Sequence, residues 1–414
     1  MSKWAKTTLG KIADIITGPF GSQLHQSDYV KQGIPIVMPQ DIGNRNINYS
    51  TINYVSEEDA TRLKRYSTVA NDILYARRGD VEKHAFVRAK DAGVLCGTGC
   101  LRVRINSNEV EPAFLSFYLN REETRKWLVT HAVGTNMPNL NTDILSDVPI
   151  AYPTLKEQRK IVKVLNCLEE RIILNEKIND NLEQQAKLIY DYWFTQFDFP
   201  DENGKPYCSS GGKMVWNEQL KRNIPENWNV VPLLKLVSWE SNSQPPKSEF
   251  VYEPKEGYVR FIQNRDYDSD THITYIPRTK NLSIVDRFDI LMDKYGDAGA
   301  VRYGIEGAFN VALGKICVHN PNYREYIRSF LGSDGIYKFL HNSCMASTRA
   351  SLSEANLAIL NVVVPDEKII LDYENFLHKI RVSILKNKEE TVELINLRDW
   401  LLPMLMNGQA TIAD

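Results

Sequence analysis

The sequence predicts an α+β fold: two tandem globular units joined by two long helices that form an antiparallel coiled coil, with an internal pseudo-two-fold duplication. Three observations predict it. First, in residues 157–194 Ile161, Leu165, Leu168, Ile172, Asn175, Asn179, Leu182, Ala186, Ile189 and Trp193 alternate four and three apart with charges between them, the a/d pattern of a coiled-coil seam. Second, residues 367–404 repeat that build through Leu377, Ile380, Ile384, Asn387, Thr391, Leu394, Arg398 and Leu401. Third, the globular stretches before each helix repeat as well. NDILYARRGD (71–80) corresponds to FDILMDKYGD (288–297), GVLCGTGCLRVRIN (93–106) to GAFNVALGKICVHN (307–320), and Trp4 with Leu9 to Trp228 with Leu233. The offset between copies shrinks along the chain, as it does when loops differ in length and the order of the core is kept.

Taken in order, residues 1–153 form the first globular unit. IPIVMP (34–39), DILYA (72–76), CLRVRI (100–105) and DVPIAY (147–152) read as strands, and 112–128 as one helix. Residues 154–196 form the first long helix, whose seam-bearing stretch 157–194 would span roughly 55 to 60 Å, with Pro153 before it and Pro200 and Pro206 after it. Residues 197–228, rich in Gly, Pro, Ser and Asn, read as an extended linker. The second unit spans 229–365, the second helix 366–406 with Pro403 near its end, and a tail 407–414. Because Asn175 and Asn387 each lie near the middle of a helix, antiparallel pairing brings them together.

Composition excludes several classes. With 43% hydrophobic and 25% charged residues, the chain is an ordinary globular sequence with enough length for two cores. No apolar run approaches the ~20 residues of a membrane span, and MSKWAKTTLG lacks an apolar signal region, so a cytoplasmic location is expected. The six cysteines are scattered, and Cys96 and Cys100 have no second pair to complete a zinc site, so reduced thiols are expected. A formal net charge of −2 gives no global signal for nucleic acid; any DNA contact must come from local basic and amide residues.

Motifs for catalysis are missing. The sequence has no phosphate-binding glycine loop, no Asn-Pro-Pro-Tyr motif for amino-methyl transfer and no i, i+4 histidine pair; the adjacent acids of PDEK (365–368) suit a helix start better than a metal site. Polar loops occur instead at corresponding places in both units: 18–27, 39–48, 76–84 and 134–141 in the first, and 240–248, 262–270, 293–304 and 344–353 in the second. Arg pairs with guanine, Asn and Gln with adenine, and Lys, Ser and backbone amides hold phosphates. One such residue in a loop is usually only solvated; the duplication gives the set its weight.

Over essentially its whole length the chain resembles the specificity subunits of type I restriction-modification systems. The resemblance is carried by FPDENGKPYCSSGGKMVWNEQLKRNIPENWNVVPL (199–233), MPNLNTDILSDVPIAYPTLKEQRKIV (137–162) and LLPMLMNGQATI (401–412). It implies that the globular units are target recognition domains, each reading half of a split double-stranded DNA target, and that the helices are conserved regions that space them and bind partners. It also implies two modification subunits using S-adenosylmethionine, and restriction subunits using ATP and Mg, leaving this chain non-catalytic with no cofactor or metal of its own. The second unit departs from the pattern: ASTRASLSEANLAIL lacks the NLN triplet, and VVPDEKIILD lacks the Glu157–Gln158 pair.

On this resemblance the candidate DNA contacts in the first unit are Ser22, Gln23, His25, Gln40, Arg77, Arg78, Lys83, His84, Asn136 and Asn139. In the second they are Asn242, Gln244, Lys247, Asn264, Arg265, Lys294, Tyr295, Arg302, Arg349 and Ser351. The candidate helix-pairing residues are Ile161, Leu165, Leu168, Ile172, Asn175, Leu182 and Ile189 with Leu377, Ile380, Ile384, Asn387, Leu394 and Leu401. Two other readings stay open: a specificity subunit of a modification-only complex, and a coiled-coil scaffold whose ends bind protein.

Overall fold

The computed structural model describes residues 4–134, 138–268, 272–345 and 351–412. It falls into two compact units, Met1–Ile173 with Thr391–Asp414, and Leu174–Glu390. The serial division expected from the sequence is therefore corrected in one respect: each compact unit takes part of both long helices.

In the first unit, β1 (Ala5–Thr8) pairs antiparallel with β10 (Pro149–Tyr152). One four-stranded sheet runs β2 (Ala13–Thr17), β9 (Cys100–Ile105), β6 (Ile73–Ala76), β7 (His84–Phe86). The other runs β3 (Tyr29–Val30), β5 (Asn53–Val55), β4 (Ile34–Val37), β8 (Leu95–Cys96), with β4 and β8 parallel. Strand β6 explains the unbroken apolar run ILYA. Successive side chains of a strand point to opposite faces, so Ile73 and Tyr75 enter a core with the helices α2 (Pro112–Leu119) and α3 (Glu122–His131), while Leu74 and Ala76 enter the core of the second sheet. Two short helices, α1 (Glu57–Arg62) and α4 (Thr142–Ser146), complete the unit. The single helix expected over 112–128 is thus two: Asn120 ends α2, and Arg121, in extended conformation, caps α3.

The second unit repeats this wiring in its first sheet. In its second it keeps counterparts of β5, β4 and β8 but has its fourth strand beside the counterpart of β8 instead of beside that of β5. Its β13 (Asn229–Pro232) pairs with β22 (Asn361–Val364), and its sheets run β14 (Val237–Glu240), β21 (Leu313–Val318), β18 (Ile290–Asp293), β19 (Val301–Arg302) and β16 (Tyr275–Pro277), β15 (Tyr258–Ile262), β20 (Gly307–Phe309), β17 (Ile284–Val285). The helices α6 (Arg324–Leu331), α7 (Asp334–Met345) and α8 (Glu354–Ala358) follow. Corresponding loop bonds recur: the Leu9 amide donates to the Val148 carbonyl at 2.9 Å, and the Leu233 amide to the Leu360 carbonyl at 2.9 Å.

The long helices are α5 (Leu155–Tyr190), extended by a π-turn over Asp191–Thr195, and α9 (Glu367–Met406). Within the second unit they run antiparallel. Asn175 Nδ2 donates to Glu390 at 3.1 Å and to the Asn387 carbonyl at 3.5 Å, Asn387 Nδ2 donates to Asn179 Oδ1 at 2.9 Å, and Glu183 meets Arg381. Within the first unit Ile161 and Leu165 share a core with Leu402, Leu405 and Met406. Ile172, Leu377, Ile380 and Ile384 are buried, whereas Leu168, Leu182, Ile189, Leu394 and Leu401 are only partly so. Tyr373, Leu385 and Leu402 carry buried contacts that a strict seam omits. Pro403 lies inside α9, three residues before its end.

The extended linker is a further correction. Phe199 stacks on Trp228 with centroids 4.7 Å apart, Phe197 meets the same indole edge-on at 5.5 Å, and Tyr207 stacks on Phe199 at 4.7 Å. A hairpin of β11 (Met214–Asn217) and β12 (Arg222–Pro225) follows. Its glycines and prolines shape turns around an aromatic cluster. No described helix is long and apolar enough to cross a membrane.

Candidate nucleic-acid interface

The end of β6 brings together three of the candidate residues of the first unit, Arg77, Arg78 and Asn139. The Arg77 amide donates to the Gly99 carbonyl at 2.7 Å, and the Arg77 carbonyl accepts from the Leu140 amide at 2.8 Å. These bonds bring residues 138–141 beside 76–80, where Arg77 Nε reaches Asn139 Oδ1 at 3.3 Å and Asn139 bridges to Arg78. Arg78 is exposed, and Gly79, at φ 81, turns the chain in a conformation that favours glycine. A basic fork braced by an amide, with a second, exposed arginine beside it, can donate to a base edge or a phosphate.

The second unit builds the same frame from different residues. The Lys294 amide donates to the Ala312 carbonyl at 2.8 Å, the Leu352 amide donates to the Lys294 carbonyl at 2.9 Å, and Gly296 has φ 71. Lys294 therefore stands where Arg77 stands, Tyr295 where Arg78 does, and Ser351 where Asn139 does. Tyr295 is 50% exposed. Arg302 is committed within the protein: it bridges Asp293 at 2.8 Å and Asp297 at 3.5 Å and lies over the Tyr267 ring.

Other candidates scatter. Ser22, His25 and Gln40 are exposed, with the His25 amide capped by Asp28 at 2.9 Å. Gln23 belongs to a separate group, accepting from Tyr66 at 2.9 Å through its side chain and from Arg62 at 2.6 Å through its carbonyl. Lys83 pairs with Asp80 at 2.5 Å. Gln244, Lys247 and Arg265 are exposed and Asn264 is half-buried. Asn136 and Arg349 lie outside the described residues.

Two candidates are corrected. His84 is 1% exposed, its Nε2 2.9 Å from Ser116 Oγ, and burial, helped by the neighbouring Arg45 and Arg125 charges, pushes its pKa down to about 3. It is a neutral core residue. Asn242 is 7% exposed and holds Ser283 from both sides, donating to its carbonyl at 2.9 Å and accepting from its amide at 3.1 Å. Arg45, by contrast, was no candidate. At φ 61 it turns inward, where Nε meets Glu169 at 2.9 Å, Nη1 donates to Ser116 at 2.7 Å, and the guanidinium lies 3.4 Å from the Phe117 ring centroid. Sequence reasoning also missed Phe20, 59% exposed, and Tyr252, 68% exposed. An aromatic ring inside a polar, glycine-rich stretch such as GPFGS was the available signal.

Comparison with known proteins agrees with this picture. The family described as type I restriction modification DNA specificity domain matches residues 1–184. The chain is 22% identical to the MjaIX type I restriction enzyme specificity subunit of Methanocaldococcus jannaschii, over 98% of this chain and 93% of that one. It is also 22% identical to the HindI specificity subunit of Haemophilus influenzae, over 99% and 100%. The crystal structure of the type I restriction-modification S subunit from M. genitalium has a similar fold, with a TM-score of 0.62 at 16% identity over 98% of this chain and 96% of that one. The type I restriction modification DNA specificity domain thus matches the front of the chain, and over its full length the chain is similar to specificity subunits of type I restriction-modification systems in sequence and to one of them in fold.

Proposed function

We propose that this chain is the DNA-reading subunit of a type I restriction-modification complex, each globular unit reading one half of a bipartite double-stranded target. The observation that carries the reading is the repeated frame at the ends of β6 and β18: the same backbone bonds present Arg77, Arg78 and Asn139 in one unit and Lys294, Tyr295 and Ser351 in the other. One scaffold with two sets of reading residues suits two different half-sites. Methyl transfer from S-adenosylmethionine belongs to two modification subunits, and ATP- and Mg-dependent cleavage to restriction subunits; this chain supplies neither.

The test is binding of duplex DNA by the assembled complex as salt is varied. Neutralising phosphates makes affinity fall steeply with salt. If Arg78 contacts a phosphate, Arg78→Ala lowers affinity on all targets and reduces the salt slope by about one; if it reads a base, the loss is about 1–3 kcal/mol with relaxed preference at one position. Affinity independent of salt and of Arg78 would return the chain to the scaffold reading.

A further inference from the structure

A cavity of about 430 Å³ lies in the second unit between α5, α6 and α9. Tyr303, Arg328, Ser329 and Arg381 line it. Strand pairing and helix position identify their counterparts in the first unit. Phe86 pairs with Ile73 at the end of β7, as Tyr303 directly follows Arg302 in β19; Ser116 and Phe117 occupy in α2 the places of Arg328 and Ser329 in α6; and Glu169 matches Arg381. These four counterparts are the residues that the Arg45 guanidinium touches: it bonds Ser116 and Glu169 and lies over the rings of Phe117 and Phe86. In the first unit this place is plugged by a cation from the 39–48 loop. The matching connection in the second unit, from Asp266 to Thr274, is four residues shorter than that from Asp41 to Asn53.

The lining has changed with the plug. Where the first unit places a hydroxyl and a carboxylate around a guanidinium, the second places two guanidiniums. Arg328 and Arg381 lie over the Tyr303 ring at 4.6 and 4.8 Å. Glu325 meets Arg381 Nε at 3.1 Å and Arg328 Nη2 at 3.2 Å, Glu183 takes Arg381 Nη1, and the Phe288 carbonyl takes Arg328 Nη2. That leaves Nε and Nη1 of Arg328, a residue 2% exposed, without a hydrogen-bond partner among the described residues. A buried charged donor left unpaired is costly.

We propose that this cavity is a binding site for a small oxyanion, carboxylate or phosphate, accepted by Arg328. Arg381 and Tyr303 hold the site in shape, and Asp191 and Lys187 stand on its lining. Occupation would tie α6 to the long helices within the second unit.

The test follows the arginine Nε–H resonances of the full-length chain during titration with inorganic phosphate, and separately with acetate. A saturable shift of one resonance is expected, lost in Arg328→Ser, which restores the residue found at this position in the first unit. Val301→Phe fills the cavity without altering a charge and should weaken binding by about tenfold or more; it decides the matter if Arg328→Ser fails to fold. Saturation by phosphate alone or by acetate alone supports the site and tells which oxyanion it takes. No saturable shift, or the same shift in folded Arg328→Ser or Val301→Phe, overturns it.

Discussion

The two units fix their globular part to a long helix at the same place with opposite charge. In the first, Glu169 on α5 receives Arg45 from a loop of the domain, at 2.9 Å. In the second, Arg381 on α9 receives Glu325 from α6, at 3.1 Å. All four side chains are buried or nearly so. What the duplication has kept is a matched buried pair, while both the sign and the element supplying the partner have been exchanged. The difference teaches that the helix contact is specific to each domain: neither helix offers the other domain the charge it needs.

Breaking the first anchor should cost most. Glu169→Arg leaves the Arg45 guanidinium buried against a like charge, and removing a partner from a buried pair costs about 3–5 kcal/mol. Urea denaturation read by hydrogen exchange in β6 measures it, and a loss below about 1 kcal/mol would sink the comparison. Arg381→Gln should cost less, about 2–3 kcal/mol by exchange in β18, because Arg328 still faces Glu325 at 3.2 Å. An equal or larger loss there would mean that Arg328 shares little of the Glu325 charge.

Acidity sharpens the contrast. The unfolded His84 imidazole gains a proton near 6.5, while the folded one, held neutral by burial, resists to about 3. Its contribution to the first unit is therefore complete above 6.5 and drains at about 1.4 kcal/mol per pH unit as pH falls below it. The second unit has Val301 at that position and, on α9, Glu374, whose carboxyl is raised from 4.5 to about 7 by burial and by the nearby Glu325 charge. A raised acid acts in the other sense: its contribution is full below 4.5 and is lost as pH rises through 7. Between pH 6.5 and 4.5, His84 weakens its unit on acidification while Glu374 strengthens its own. His84→Val should flatten the pH dependence of exchange in β6 and leave β18 unchanged, and Glu374→Gln should do the reverse. Coincident changes in both strands would refute separate titrations.

The smallest effects belong to the surface. Arg78→Ala and Tyr295→Ala should each leave stability within about 0.5 kcal/mol, since both side chains are exposed at the ends of frames held by backbone bonds. Larger losses in urea melts would show that these residues are structural.

Much of the fold was legible because it is periodic. The seam residues of both helices and the run ILYA declare themselves by spacing, and the duplication doubles each signal. The candidate site was legible only in part. Arg77 with Asn139 could be anticipated as polar loop residues, but His84 and Asn242 share that appearance and are buried, because the groups that satisfy them, Ser116 and Ser283, lie 32 and 41 residues away in sequence. Arg45 hid for the same reason: a single arginine in PQDIGNRNIN gives no sign that its partner is Glu169, 124 residues on. The linker was misread because Gly and Pro dominate its composition while Phe197, Phe199, Tyr207 and Trp228 dominate its packing.

The position of Glu169 also bears on how such a protein can be inherited in pieces. The globular stretch ends at β10, Pro149–Tyr152, yet the acid that neutralises its inward arginine comes about four turns into α5. A genetic crossover placed at the natural-looking seam, just before the helix, hands a new domain to an old carboxylate and succeeds only where the newcomer brings an arginine to the same spot. A crossover beyond Glu169 carries lock and key together. The heritable cassette is the domain plus the first turns of its helix, and recombinant junctions should accumulate inside the helix rather than at its start.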